Sequence, residues 1–235
     1  MKPEIFERAG TGSANAMTIN GATNKSFFLL LILFVAASFT WRMAHANPAS
    51  VQSLMILGII GGLITAFITI FSPSSARFTA PIYAGFEGLA IGGISAIYNI
   101  AYGGIVLQAI LLTFFTAGAM LFLYRSGIVR VTEKFKTGII AATMGIAFAY
   151  LVSFVLSLFG LVPPIFASGP IGIIFSLVVV VIAALNLILD YDVIVKGAQA
   201  GAPAYFEWYA AFGLLVTLVW LYLEILRLLS YLNRD

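Results

Sequence analysis

The chain has 235 residues, 62% of them hydrophobic and 9% charged, with a mean hydropathy of +1.08. Soluble domains carry about 25% charged residues, so this composition excludes a water-soluble globular protein and leaves a polytopic membrane protein. The absence of cysteine removes disulfide, thiolate and Cys-ligated metal chemistry, and a formal net charge of +3 reads as anchoring charge rather than a nucleic-acid footprint.

In chain order, residues 1–26 are polar and read as a flexible cytoplasmic tail, and residues 27–230 read as one seven-helix transmembrane domain. Apolar runs of bilayer-crossing length recur throughout. The expected spans are Phe27–Trp41, Val51–Phe71, Ala80–Tyr98, Gly104–Tyr124, Thr137–Leu161, Gly169–Leu189 and Glu207–Leu229. A cleavable signal peptide is the rival reading of the first run, because Ala44, His45 and Ala46 resemble a cleavage site; the long preceding tail and Arg42 argue against it. In the third span Gly85, Gly88 and Gly92 follow helical spacing and would let a neighbouring backbone approach. Asp190–Tyr205 reads as a loop rich in Gly and Ala between the last two helices.

With the N-terminus inside, 9 of the 12 basic residues fall on inner segments, and Arg42, Arg227 and Arg234 remain outside. The positive-inside rule therefore places the N-terminus and the Asp190 loop in the cytoplasm.

Five acidic residues lie in or beside the spans: Glu87, Asp190, Asp192, Glu207 and Glu224. Carboxylates so close to hydrocarbon are costly and are functional suspects. The candidate ion-path and pH-sensing residues are Asp190, Asp192, Glu87 and Glu207. Glu87 would lie about 10 Å into its helix at 1.5 Å per residue. Asp190 and Asp192 are expected to end the sixth helix, where the helix dipole already disfavours negative charge. Asn186, four residues before Asp190, shares its face. The plainer alternative is that Asp190, Asp192 and Glu207 mark where helices leave the membrane. Glu87 could pair with Gln108 or Arg77, and Glu224 with Arg227 three residues on. Trp41, Trp208, Trp220 and Tyr222 read as interfacial anchors or packing residues.

One histidine, His45, and no cysteine cannot build a Ser–His hydrolase, a zinc site or a metalloprotease. The seventh span has no lysine for a retinal Schiff base, and no phosphate-cradling glycine loop is present. Neither an enzyme nor a cofactor is expected.

Four stretches carry a resemblance: Ala80 to Ser95 (APIYAGFEGLAIGGIS), Gly104 to Thr113 (GIVLQAILLT), Leu187 to Ile194 (LILDYDVI) and Leu214 to Leu229 (LLVTLVWLYLEILRLL). In order and spacing they resemble the Bax-inhibitor-1-like, or transmembrane Bax inhibitor motif, family. Glu207 to Leu214 (EWYAAFGL) looks like its bacterial branch. The resemblance implies a seven-helix bundle with the last helix near the centre. It also implies a pH-sensitive calcium leak channel in which two aspartates on the last two helices share a proton, or a regulator of membrane proteases and cell-death factors. Asp190 matches the first aspartate and Arg227 the arginine near the end of the last helix. The position of the second aspartate is held by Thr217, so the two-aspartate latch cannot form as such; either Asp192, Glu207 or Glu87 substitutes or the pH response is absent, and Asp190 is expected to be held by Asn186 or by one of those carboxylates.

The leading expectation is a cation leak path, for calcium or protons, gated at the cytoplasmic carboxylates in contact with membrane lipid. The alternatives are a non-conducting regulator that binds a membrane-protein partner and a proton-coupled transporter of a small solute. No metal ligand set can be read from the sequence, and nucleic acid is not an expected partner.

Overall fold

The computed structural model describes residues 16–46, 48–161 and 169–233. These residues form an all-α bundle of seven helices, each long and apolar enough to cross a membrane. They are α1 (Ile19–Ala46), α2 (Pro48–Phe71), α3 (Ala76–Ala101), α4 (Ile105–Arg125), α5 (Glu133–Leu158), α6 (Pro170–Gln199) and α7 (Tyr205–Leu232), with a 3₁₀ turn at Pro73–Ser75 before α3. Large apolar side chains such as Phe115 on α4 and Phe148 on α5 are exposed, as expected where lipid replaces water as the solvent. Half of the most apolar stretch of α7 is buried; among the seven helices only α3, at 56%, is more enclosed.

Two compact units can be described separately. One comprises α1, α2, α3, the end of α6 and the start of α7; the other comprises α4, α5, the main part of α6 and the end of α7.

In the first unit, glycines set how closely helices approach. A Cβ built on Gly88 would lie 2.4 Å from the Leu33 carbonyl oxygen of α1, and one on Gly92 would lie 2.2 Å from that of Ala37. On α2, a Cβ at Gly58 would meet the Ala90 nitrogen and the Phe86 oxygen at 2.6 Å. α3 is therefore in backbone contact with both α1 and α2, through small residues on two of its faces. Gly85, the third member of the expected stripe, is different: its nearest neighbour would be Ile32 Cγ2 at 4.0 Å. Gly88→Ala should therefore destabilise the protein by about 1–3 kcal/mol through overpacking. Gly85→Ala should be neutral, or stabilise by up to about 1 kcal/mol through helix propensity. Thermal unfolding in detergent measures both, and equal effects at the two positions would contradict this packing.

α1 begins earlier than the apolar run suggests. Residues 19–26 are helical, so only residues 1–15 of the expected tail lie outside the described residues. Thr18 caps the helix, its Oγ1 accepting from the Gly21 N–H at 2.9 Å. The Met17 N–H donates to the Ala202 carbonyl at 2.7 Å, and Ala16 forms an antiparallel bridge with Pro203. Met17 and Ala22 are buried with Ile194, Ala202 and Ala210. The stretch before Phe27 is helical because one face of it is held: Ala22 and Ser26 are buried and Lys25 pairs with Glu207, while Asn20, Thr23 and Asn24 stay exposed.

The second difference lies in α6, which continues ten residues past Leu189. Asp190 and Asp192 are inside the helix, and the helix-end argument made for them does not apply. The helix stops at a glycine terminator. Gly201, with φ +64°, follows the last turn; the Ala202 N–H donates to Gly197 O at 3.0 Å and the Gly201 N–H to Ala198 O at 3.2 Å. That paired bonding is the Schellman arrangement. The same pairing ends α5, with Leu161 N–H to Leu156 O at 3.1 Å, Gly160 N–H to Ser157 O at 3.1 Å, and Gly160 at φ +76°. α5 starts at a capped position, Thr132 Oγ1 accepting from the Phe135 N–H at 3.2 Å, four residues before the expected Thr137.

Candidate functional site

Asp190 lies 21 residues into the 30-residue α6. Its carboxylate is hydrogen-bonded to Thr217 of α7. Its Oδ2 is buried and has no hydrogen-bond partner among the described residues. A buried carboxylate oxygen without a donor is strongly disfavoured in the ionised form and is relieved by a proton or a cation. The residue that resemblance places at the second-aspartate position thus faces Asp190, carrying a hydroxyl where a second carboxylate would be. Thr217 is itself buried, and both residues belong to the second unit.

Asn186 does not hold Asp190. Its Nδ2 donates to Thr143 Oγ1 of α5 and to the Ile182 carbonyl, both at 2.8 Å. It ties α6 to α5 and leaves Thr217 as the neighbour that engages Asp190. Beside Asp190, the Tyr191 hydroxyl donates to the Ala117 carbonyl of α4 at 3.0 Å. The Asp190 turn of α6 is thereby fixed to α4.

The other three candidate carboxylates belong to the first unit, and each has a separate set of partners. Glu87 is hydrogen-bonded to Tyr83, one turn earlier on α3, rather than to Gln108 or Arg77. Tyr83 also packs edge-on against Phe212 of α7, ring centroids 5.0 Å apart. Asp192 pairs with Lys196 at 2.7 Å, an i,i+4 pair on the same helix. Glu207, at the start of α7 and 5% exposed, accepts from the Thr18 N–H at 2.7 Å and the Thr18 hydroxyl at 3.0 Å, and is ion-paired with Lys25 of α1. Lys25 also lies 5.4 Å over the Trp208 ring. Glu207 therefore holds the start of α1 by its helix N-terminus, where negative charge is favourable. Among the described residues, no three of His, Asp and Glu form a group that could hold a metal ion.

The expected Glu224–Arg227 ion pair is present and is part of a larger cluster. Glu224 also accepts from the Tyr150 hydroxyl at 2.8 Å and from Ser176 Oγ at 2.7 Å. Neither Tyr150 nor Ser176 stands out in the sequence, since each is a hydroxyl within an apolar run and nothing in its spacing marks it from the other hydroxyls of the bundle.

Seven apolar helices with carboxylates buried on α6 and α7 define a multi-pass integral membrane protein. The chain matches the family model described as Bax inhibitor 1 like over residues 2–234, nearly its whole length, and belongs to that family. No curated protein and no solved structure gives a significant match to it.

Proposed function

We propose that this protein is a cation leak path gated by protonation of Asp190. The observation that carries this reading is the buried Oδ2 of Asp190, a carboxylate oxygen lacking a donor inside a continuous membrane-spanning helix. Ionised, Asp190 attracts a cation. Protonated, it gains a donor that can engage Thr217, and the attraction is lost. Calcium is the ion that family membership favours, the resemblance of Glu207 to Leu214 to the bacterial branch favours the inner membrane, and the basic residues favour an N-terminus in the cytoplasm.

The test is cation influx into proteoliposomes of the purified protein, followed with a calcium-sensitive dye as external pH is varied. Influx should fall as the medium is made acidic, because protonation removes the attracting charge. Absence of influx at every pH would abandon this reading in favour of a non-conducting regulator that binds a membrane-protein partner. The proposed orientation has its own check: a reporter fused after Asp235 should be active only outside the cytoplasm, and cytoplasmic activity would overturn it.

A further inference from the structure

The reading above makes no use of the polar cluster around Glu224. Three helices of the second unit build it: Tyr150 from α5, Ser176 from α6, and Glu224 and Arg227 from α7. Glu224 is 4% exposed and Ser176 fully buried. The Tyr150 hydroxyl donates to Glu224 Oε2 and Ser176 Oγ to Oε1. Arg227 donates to both Glu224 Oε1 and the Tyr150 oxygen. Its guanidinium carbon lies 5.1 Å from the centre of the Tyr150 ring. Among the described residues, the titratable and charged groups bonded to Glu224 are Tyr150 from α5 and Arg227 from its own helix, with the neutral Ser176 from α6.

Stability is a poor explanation for this cluster. Apolar residues of equal volume commonly serve a buried core as well as a buried ion pair does, and charges inside a span are retained where they act on something that moves through it. Without the guanidinium, the cluster is a set of four oxygens (two from Glu224, one from Tyr150 and one from Ser176) around one negative charge. Oxygen donors of this kind suit hard cations. The guanidinium supplies one positive charge, so the exchange that leaves the site's charge unaltered is for a monovalent cation. Glu224 also follows Thr217 by seven residues, two turns along the same face of α7 and about 10 Å from the Asp190 pair.

We propose that Glu224, Tyr150 and Ser176 form a second site for a monovalent metal cation on the leak path, and that Arg227 is a tethered cation occupying it. The inference rests on the reading of the protein as a leak path. In the resting protein the side chain of Arg227 does what a sodium ion would do, and it must swing off Glu224 before an ion can take its place.

The test compares wild type, R227Q and the double variant R227Q/E224Q in proteoliposomes at neutral pH, with a sodium-sensitive dye. R227Q should leak sodium severalfold faster than wild type, and adding E224Q should bring the rate back down. In detergent, sodium chloride should raise the melting temperature of R227Q relative to choline chloride at equal ionic strength, and should leave wild type unmoved. If R227Q does not fold, R227K replaces it; lysine keeps the positive charge and all three site residues but cannot hold Glu224 and the Tyr150 oxygen together as the guanidinium does, and should give a smaller rise in leak. A folded variant that leaks at the wild-type rate, or a double variant that leaks as fast as R227Q, overturns the proposal. A wild type that passes no cation at any pH sinks the leak-path reading. Sodium-specific stabilisation of R227Q then still decides for or against the site itself.

Discussion

Replacing Asp190 by Asn should abolish the pH dependence of cation influx while leaving the fold intact. Asparagine keeps the size and the hydrogen-bonding capacity of the side chain, so Thr217 retains a partner, but no proton can be gained or lost in the physiological range. The flux should sit at one level across the pH range in which the wild type changes. Circular dichroism and thermal unfolding would establish that the helices are unaltered. Thr217→Asp is the complementary experiment. Because Thr217 is hydrogen-bonded to Asp190, an aspartate there would face Asp190 directly, and two carboxylates so placed share a proton and titrate as a pair. The pH response should become steeper. A wild-type pH profile in Asp190→Asn would rule out this gate, and an unchanged profile in Thr217→Asp would show that the second carboxylate does not couple to the first.

The largest loss of stability is expected from Glu207→Ala. Its carboxylate accepts both Thr18 donors and pairs with Lys25, so the substitution leaves a lysine and a helix N-terminus facing an emptied site. Removing one partner of a buried ion pair typically costs about 3–5 kcal/mol. The Lys25 side chain is 24% exposed, which places the expected loss near the lower figure. Glu207→Gln keeps the hydrogen bonds and should recover about half of it, consistent with roughly 1–2 kcal/mol for the hydrogen bonds. Unfolding in detergent reads both. A Glu207→Ala protein as stable as wild type would mean that the start of α1 is held by the Met17–Ala202 and Ala16–Pro203 contacts alone.

The seven spans were legible because a membrane helix needs only length and apolarity, and both are properties of a contiguous window. The ends were less so. The run from Ile19 to Ser26 (INGATNKS) looks like a tail because its stabilising partners, Glu207 and Ala202, lie more than 170 residues away. The acidic pair at Asp190 and Asp192 looks like a helix exit, although the real stop signal is Gly201, nine residues further. Asp190 itself could be picked out as a carboxylate beside an apolar run, and so could the Glu224–Arg227 pair at its i,i+3 spacing. That Thr217 rather than Asn186 engages Asp190 depends on which helices pack together, which no spacing within α6 encodes. Tyr150 and Ser176 gave no signal for the same reason.

The continuity of α6 ties the gate to the bilayer it sits in. Thirty residues at 1.5 Å each make a rod of about 45 Å, against a hydrocarbon core of about 30 Å. Asp190, the twenty-first residue, is about 30 Å from the start of α6 at Pro170, close to one full hydrocarbon thickness. A helix that exceeds the core accommodates by tilting or by deforming the lipid around it. With Pro170 at one edge of the hydrocarbon, Asp190 therefore falls near the other edge. Acyl-chain length then sets how far the Asp190 level of α6 lies from bulk water, while the carboxylate itself stays enclosed by protein. Under the proposed gate, bilayers of different acyl-chain length are expected to shift the pH response of the influx.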